Sequence, residues 1–402
     1  MLNEIGLTWR QVAALPEPLS RPATATGRDG NIYLFGGVGA TAVSNATFIY
    51  HPRTNTWTEG ANMPTAREGA QAIALPNGRI VVIGGESRGM SGGCTADLCQ
   101  DGTVYSTVEE YAPASNTWRM LAPLMTPRYR FAAAFYRGRI YVLGGVDGRE
   151  VLSRVETYDP RTNAWGYAAP LPQPERAPAA AVAPGGRLIV MGGDNGNSQT
   201  GLYNNTFTFD GTNWISGAPM PQASEDMPAT VGADGLIYVV GGYDAGYLST
   251  VQAYNPRTNT WTMAAPLPAG TSTMGLATAA NGQMYAFGGS GGPGGLVYAF
   301  GPAINLASSR AAPGARVYLS GAYFAANTIV TIYWGAAGSH TVLGSGTTDS
   351  TGILTRPLGF RVPCTARPGA HQITAVDGLS HYPAVVSLTV TKAGKACAAR
   401  KH

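Results

Sequence analysis

The chain has 402 residues, of which 44% are apolar, enough for a large hydrophobic core and more than one domain. Charged residues make up only 12%, against about 25% in an average soluble protein, whereas glycine occupies 54 positions. No run of 18 apolar residues occurs, which argues against a transmembrane helix. The net charge of +4 is concentrated in the last hundred residues, so the rest of the chain does not indicate a nucleic-acid-binding face.

The chain begins with MLNEIGLTWRQ, which lacks the basic start and apolar run of a secretory signal peptide. The stretch LTWRQVAALP at 7–16 matches NTWTMAAPLP at 259–268, and Trp9 lies 48 residues before Trp57. We therefore interpret this first stretch as one strand of a repeat, separated from the rest of its unit.

A repeat of about 48 residues occupies most of the chain. Its first marker is a glycine pair after an apolar strand, with spacings of 48, 60, 48, 49 and 47 between the pairs that begin at Gly36, Gly84, Gly144, Gly192, Gly241 and Gly288. Its second marker is a tryptophan, preceded at seven residues by tyrosine, as in Tyr50 and Trp57 or Tyr111 and Trp118. Turn sequences such as HPRTNTW separate the two aromatic residues.

Each unit predicts four short strands, such as MPATVGA, IYVVGGY, TVQAYNP and TWTMAAP in the fifth unit. Four strands in a period near 50 residues are typical of a β-propeller. A single blade cannot bury both faces, whereas blades stacked around an axis bury them and protect the strand edges.

The motifs IYLFGGV, IVVIGGE, IYVLGGV, LIVMGGD, IYVVGGY and MYAFGGS resemble kelch repeats. This resemblance implies an all-β, six-bladed kelch propeller over residues 1–302, closed by an N-terminal outer strand that contains Trp9. The sixth unit ends at VYAFGP without a tryptophan strand of its own, which fits this closure.

From Ala303 the period stops, and strands at eight- to twelve-residue spacing predict a small antiparallel sandwich over residues 303–402. Its sequence is similar to those of bacterial immunoglobulin-like domains. These residues hold nine Lys and Arg against Asp349 and Asp377, a net charge of +7. We interpret the domain as a spacer or stabiliser, with carbohydrate binding as the alternative.

The four cysteines form two local sets, Cys94 with Cys99 and Cys364 with Cys397, which predicts two disulfides. Disulfides favour an extracellular or cell-surface location, although the recorded sequence has no signal peptide. The loop at 87–102 contains the first pair and explains the 60-residue spacing.

Ligands of propellers bind where loops converge at the mouth of the central channel. In kelch proteins the residues just before each innermost strand commonly face this mouth, and the loops after the glycine pairs lie on the same face. The resemblance therefore predicts ligand-binding roles for Arg21, Arg67, Glu68, Arg128, Arg130, Arg176, Glu225, Asp226, Tyr243 and Asp244. Arginines suit a carboxylate, sulfate or phosphate because guanidinium donates paired hydrogen bonds. The alternative is that these arginines pair with Glu68, Glu175 and Glu225 and tie the blades together.

We predict an extracellular protein that binds an anionic glycan or an acidic protein segment, without cofactor or metal, as a monomer. The alternative is a carbohydrate-active enzyme, and no catalytic residue is assigned. The resemblance allows a sialic-acid mutarotase-like activity using Arg128, Arg176 and Glu175. It also allows a galactose-oxidase-like copper enzyme, given the similar layout, but that enzyme needs two histidine ligands at the channel mouth, and His51 is the single propeller histidine.

Overall fold

A computed structural model describes residues 7–87, 102–197, 200–292, 294–339, 341–392 and 397. All secondary-structure elements named for these residues are β-strands. The chain divides into two compact units, one of residues 10–279 and 284–299, the other of residues 1–9, 280–283 and 300–402. The division expected between residues 302 and 303 stays a prediction. In the described part of the chain, we find no helix of the length and hydropathy that spanning a membrane requires.

The first unit is the propeller, built from twenty-four short strands. In chain order they are β1 (Arg10–Gln11), β2 (Ala23–Thr26), β3 (Ile32–Phe35), β4 (Thr47–His51), β5 (Thr56–Glu59), β6 (Gln71–Ala74), β7 (Ile80–Ile83), β8 (Val108–Ala112), β9 (Thr117–Met120), β10 (Ala132–Tyr136), β11 (Arg139–Leu143), β12 (Val155–Asp159), β13 (Ala164–Ala168), β14 (Ala179–Ala183), β15 (Arg187–Met191), β16 (Thr206–Phe209), β17 (Trp214–Ser216), β18 (Ala229–Val231), β19 (Ile237–Val240), β20 (Val251–Asn255), β21 (Thr260–Ala264), β22 (Gly275–Thr278), β23 (Met284–Phe287) and β24 (Val297–Phe300).

These strands form six four-stranded antiparallel sheets among the described residues, which confirms the predicted propeller. Blades 1 to 5 are β2–β5, β6–β9, β10–β13, β14–β17 and β18–β21, and blade 6 is β22, β23, β24 and β1. The closure by the N-terminal segment is also confirmed, because Arg10 pairs with Ala299 and Gln11 with Tyr298. Beyond the strand, the Val12 N–H donates to the Val297 carbonyl at 2.9 Å.

The repeated tyrosine and tryptophan act with an asparagine to join neighbouring blades. In blade 2, the Asn116 side-chain oxygen accepts the Tyr111 hydroxyl at 2.7 Å and the Ala61 N–H of blade 1 at 2.6 Å. The Trp118 indole N–H donates to the Ala61 carbonyl at 2.7 Å. Ala61 is thus held through both of its backbone groups. The same arrangement recurs at Ala13 with Asn55 and Trp57, Ala122 with Asn163 and Trp165, and Ala218 with Asn259 and Trp261.

At the glycine pairs, neighbouring blades come into close contact. Gly144 has φ of +64°, and a Cβ atom there would lie 2.5 Å from the Glu175 carbonyl oxygen. The next residue, Gly145, donates its N–H to that same carbonyl at 2.8 Å. A larger side chain is therefore excluded by both backbone conformation and contact.

The second unit contains two sheets around one hydrophobic core that includes Val317, Phe360, Val330 and Leu388. The strands are β25 (Ala303–Leu306), β26 (Arg310–Ala311), β27 (Arg316–Ala322), β28 (Ile329–Trp334), β29 (Val342–Thr347), β30 (Leu358–Arg361), β31 (Gly369–Asp377) and β32 (Pro383–Val390). One sheet has the order β25-β27-β30 and the other β26-β32-β31-β28-β29. The likeness to immunoglobulin domains remains a prediction.

The disulfide between Cys364 and Cys397 is present, with the two Cα atoms 5.7 Å apart, as predicted. It encloses β31 and β32, so it ties the last two strands to the segment before them. The other predicted disulfide, between Cys94 and Cys99, lies outside the described residues.

Candidate functional site at the channel mouth

A three-residue segment, separated by one or two residues from the inner strand that follows it, repeats one backbone arrangement in each blade. At the first position the carbonyl accepts the N–H of the second glycine of the preceding blade's pair, at 2.8 to 3.0 Å. The second position forms an isolated bridge with the residue after the glycine pair of its own blade, as between Glu225 and Tyr243. The third position has a positive φ of 49° to 60°, which turns the chain into the inner strand.

The third positions are the innermost residues of this face, and we call them the mouth ring. Their backbones bond directly around the axis. The Ala177 N–H donates to the Arg130 carbonyl at 2.7 Å and the Arg130 N–H to the Gly69 carbonyl at 3.1 Å. The mouth ring consists of Arg21, Gly69, Arg130, Ala177, Asp226 and Thr273.

A cavity of about 100 Å³ lies inside the mouth ring and is lined by all six of its residues. A larger cavity of about 360 Å³ shares Pro22, Pro178 and Pro228 with it and continues between the inner strands. The residues lining this channel in the described structure include no ionisable side chain. Charge is therefore confined to the mouth, above a neutral channel rich in alanine and threonine.

Each mouth-ring arginine is paired with a carboxylate. The Arg21 guanidinium lies 2.9 Å from the Glu68 carboxylate, and its side chain is 24% exposed. The Arg130 guanidinium lies 3.5 Å from the Asp226 carboxylate, with side-chain exposures of 12% and 14%. These groups present donors and acceptors side by side at a partly exposed surface, as polyhydroxylated ligands require.

Arg67 and Arg128 occupy the first position, and their side chains are fully buried inside their blades. The Arg67 guanidinium binds the Gly84 and Thr107 carbonyls at 2.9 and 3.0 Å and the Glu109 carboxylate at 2.8 Å. Arg128 makes the equivalent contacts, with Glu156 as its carboxylate. Both arginines therefore join strands within their own blades, through Glu109 and Glu156. Of the carboxylates named in the alternative interpretation, Glu68 pairs with Arg21 and Glu225 with Arg176.

Arg176 occupies the second position and joins two carboxylates. Its guanidinium donates to both Asp194 oxygens at 2.9 to 3.0 Å and to Glu225 at 2.9 Å. Burial, helped by Asp194 and Asp226, raises the pKa of the Glu225 carboxyl to about 9 despite Arg176. Burial therefore favours the protonated form of Glu225, the residue that precedes Asp226 in the chain.

Glu175 stands at the first position of blade 4, where blades 2 and 3 have arginine. It is fully buried, and one carboxyl oxygen accepts the Asn205 side-chain amide at 2.7 Å. Burial raises the pKa of Glu175 to about 8, against weaker opposing effects of hydrogen bonds from Gln173 and Asn205. Burial thus favours the neutral form of the Glu175 side chain.

The loops after the glycine pairs lie beside the mouth. Tyr243 bridges Glu225 through the backbone, and its ring lies 5.7 Å from the half-exposed ring of Tyr247. Asp244 is exposed and has no ion pair within the described residues. The loop containing Arg88, Cys94 and Cys99 lies outside the described part of the chain.

The described residues do not fit the copper site that the galactose-oxidase resemblance implies. Both ring nitrogens of His51 are bonded within blade 1, to Asn31 at 2.9 Å and Thr58 at 2.7 Å. The Tyr50 hydroxyl is bonded to Asn55 at 2.8 Å. No group of three or more His, Cys, Asp or Glu side chains suited to a metal ion occurs in the searched, described residues.

Sequence reasoning missed several residues of this site. Glu109 and Glu156 lie in the third strand of their blades, far along the chain from the arginines that they bind. Asn205 and Gln173, which bond Glu175, were also missed. Most mouth-ring residues lie two positions before the first residue of an inner strand. Aligning the repeats at that position would have grouped Gly69 with Arg21 and Arg130.

Comparison with known proteins supports the repeat assignment. The family model described as "Kelch motif" matches residues 20–64, 127–172 and 227–268. A kelch-like protein, terF, from Aspergillus terreus is 33% identical over 149 residues, 36% of this chain and 31% of that protein. N-acetylneuraminate epimerase from Escherichia coli is 30% identical over 107 residues, 25% of this chain and 29% of the enzyme. The matches thus span less than a third of these relatives.

Two solved structures share the fold. The structure of YjhT has a TM-score of 0.59 and 18% identity, covering 74% of this chain and 97% of that one. A fungal alcohol oxidase of the AA5 family in complex with copper has a TM-score of 0.54 and 19% identity, covering 92% and 85%. At these identities the similarity concerns the fold alone.

Proposed function

Because the chain belongs to the kelch-repeat propeller family, we propose that it binds a carbohydrate at the mouth ring. The observation that carries the proposal is the ion pair of Arg130 with Asp226 at the lip of the mouth cavity. Paired charges hold donors and acceptors in fixed positions, which lowers the entropy lost on binding. Sugar hydroxyls can use both kinds of group at once.

The carboxylate partners of the mouth-ring arginines lower the preference of the mouth for a highly acidic ligand. The anionic glycan or acidic protein segment was inferred from arginines at four of six blades. The mouth ring itself contains two, Arg21 and Arg130, and each has a carboxylate partner. A hydroxyl-rich ligand of low charge therefore suits the mouth better than an acidic protein segment, and an acidic sugar remains compatible with it.

A second candidate function is acid–base catalysis on a bound sugar, and the raised pKa of Glu225 beside the mouth ring favours it. A carboxyl with a pKa of about 9 can donate a proton at neutral pH, and Asp226, which lines the mouth cavity, follows it directly in the chain. N-acetylneuraminate epimerase is among the relatives, which makes sialic acid the first substrate to test. The proposed reaction class is sugar isomerisation, with Glu225 as acid.

The binding proposal is tested by calorimetric titration with N-acetylneuraminate and with neutral monosaccharides and oligosaccharides. Arg130→Ala should weaken binding by about tenfold, since it removes a charged donor. Arg139→Ala is the matched control, because Arg139 lies in the same blade, pairs with Asp159 and is 43% exposed. Equal affinities for wild type and Arg130→Ala would contradict the proposal.

The catalytic candidate is tested by proton NMR of anomer interconversion in N-acetylneuraminate. Wild-type protein should accelerate it, and Glu225→Gln should abolish the acceleration while retaining sugar binding. Acceleration that survives this substitution would rule out Glu225 as the acid.

The proposed location is outside the cell or at its surface. The disulfide between Cys364 and Cys397 supports this, because such bonds persist in oxidising compartments. One propeller contains the whole proposed site, so the expected monomer is sufficient for binding.

A further inference from the structure

The solvent face of the three-stranded sheet in the second unit has an unusual composition. Its exposed positions on β27 are Arg316, Tyr318 and Ser320, and those on β30 are Gly359 and Arg361. Tyr318 is 46% exposed and borders a shallow groove of about 470 Å³ with Leu306, Ala307 and Pro357 among its walls. We call this surface the Tyr318 face.

The residues around Tyr318 leave its ring accessible. Ala307 follows the neighbouring strand, and Gly359 is the direct partner of Tyr318 across β30. A Cβ atom at Gly359 would lie 3.0 Å from the tyrosine ring and 3.1 Å from the Arg316 Nε atom. Both side chains therefore rest against the glycine, and the Arg316 guanidinium lies over the ring, 5.8 Å from its centre.

Two arginines oppose each other on the same face. Arg316 and Arg361 are direct partners in the antiparallel ladder, and both are exposed. Like charges at directly opposite positions destabilise a sheet. Neither arginine has an ion pair within the described residues, and the Arg361 guanidinium binds the Gly314 carbonyl at 3.0 Å.

The two aspartates of residues 303–402 form hydrogen bonds away from the Tyr318 face. Residues 303–402 contain Asp349 and Asp377 as their only carboxylate side chains. Asp349 accepts hydrogen bonds from Thr351 and the Ile353 N–H in its own turn. Asp377 is buried and bonds to the Leu379 and Ser380 N–H groups. The positive charge of the Tyr318 face is therefore not offset by either carboxylate.

We propose that the Tyr318 face is a second binding site, independent of the mouth ring, for a polysaccharide whose sugars carry carboxylate or sulfate groups. The tyrosine ring stacks on the apolar face of a sugar, as aromatic rings with an exposed face do. The two guanidinium groups bind the acidic substituents through charge-assisted hydrogen bonds. An extended polymer fits a flat, open sheet face better than a single sugar does.

The test measures binding of the full chain to immobilised polygalacturonate, with dextran as the neutral polymer. Wild type should bind polygalacturonate and not dextran. Tyr318→Ala should weaken binding by about tenfold and Arg316→Ala by a similar factor, while Tyr318→Phe keeps the ring and most of the affinity. Arg367→Ala is the matched control, since it removes one exposed positive charge before β31 and should change affinity less than twofold.

Two further probes distinguish an acidic polysaccharide from an acidic polypeptide and from an anionic membrane surface. Polyglutamate carries the same charge without sugar rings, and phosphatidylserine vesicles offer an anionic lipid surface. Binding to either one as tight as to polygalacturonate would overturn the proposal, and so would an unchanged affinity in Tyr318→Ala. An equal loss in Arg367→Ala would also overturn it, because net charge alone would then explain binding. Unchanged melting temperatures of Tyr318→Ala and Arg316→Ala show that a loss reflects the site.

Discussion

The guanidinium of Arg130 in blade 3 lies 3.5 Å from the carboxylate of Asp226 in blade 5. The mouth-ring residue of the blade between them is Ala177, whose small side chain lies between these two positions in the ring. The ion pair joins two blades that are not neighbours. The pair is partly exposed, and it stands over a channel without charged lining among the described residues. It is therefore the group that a ligand entering the mouth meets.

Asp226→Asn should shift selectivity towards acidic sugars. The substitution removes the charge that neutralises Arg130, so a ligand carboxylate gains a stronger partner, and one unit of charge corresponds to roughly tenfold in affinity here. The measurement compares titrations of an acidic monosaccharide and its neutral methyl ester. Asp210→Asn, which changes an exposed aspartate in the turn between β16 and β17, is the control. An unchanged ratio of the two affinities would show that Arg130 does not contact the acid group.

Arg128→Ala should destabilise the propeller without involving the mouth. Removing one partner of a fully buried pair leaves the Glu156 charge uncompensated, which costs about 3–5 kcal/mol of unfolding free energy. Arg139→Ala removes a 43% exposed arginine of the same blade and should cost less than about 1 kcal/mol. Urea unfolding of both variants checks this, and similar midpoints for the two would contradict the assigned role of Arg128.

Glu175 should make the propeller less stable as the pH rises. Its pKa is about 8 in the folded protein and 4.5 ordinarily, so above pH 4.5 the unfolded chain releases this proton more readily. The stabilisation of the folded state by protonated Glu175 is fully present below pH 4.5 and is lost as the pH rises towards 8. The free energy of unfolding falls by at most about 1.4 kcal/mol per pH unit in this range. Unfolding free energies at pH 5 to 8 should fall less steeply in Glu175→Gln. Parallel pH profiles would exclude a protonated Glu175.

Val12→Pro should weaken the ring closure. Proline removes the N–H that bonds the Val297 carbonyl at 2.9 Å next to the pairing of β1 with β24. Relative to Val12→Ala, which keeps the N–H, the loss should be about 1–3 kcal/mol. Thermal unfolding of both variants measures this difference. Equal melting temperatures would mean that the closing strand adds little stability.

The fold could be predicted because each repeat marker has a fixed physical task. Trp118 and Asn116 must reach the same alanine of the preceding blade, so their spacing recurs along the chain. Gly144 must allow close contact with Glu175, so it cannot be replaced. Residues with such a role recur at a regular spacing, so the sequence shows them as a repeat.

The site could be predicted only in part. Arg128 and Arg130 are two residues apart before one strand, yet Arg128 is buried in its blade and Arg130 lies in the mouth ring. The positive φ of Arg130 turns the chain towards the inner strand at that residue, and composition alone does not show that an arginine adopts this conformation. Glu156, the buried partner of Arg128, lies 28 residues away in the chain, and a local pattern does not show such a pair.

The most direct test of the mouth site is hydrogen exchange followed by mass spectrometry, with and without the sugar that binds most tightly. The account predicts protection in the segments that contain Arg21, Gly69, Arg130, Ala177, Asp226 and Thr273, with little change in the outer strands. Protection confined to outer strands or to the second unit, with these six segments unaffected, would contradict it.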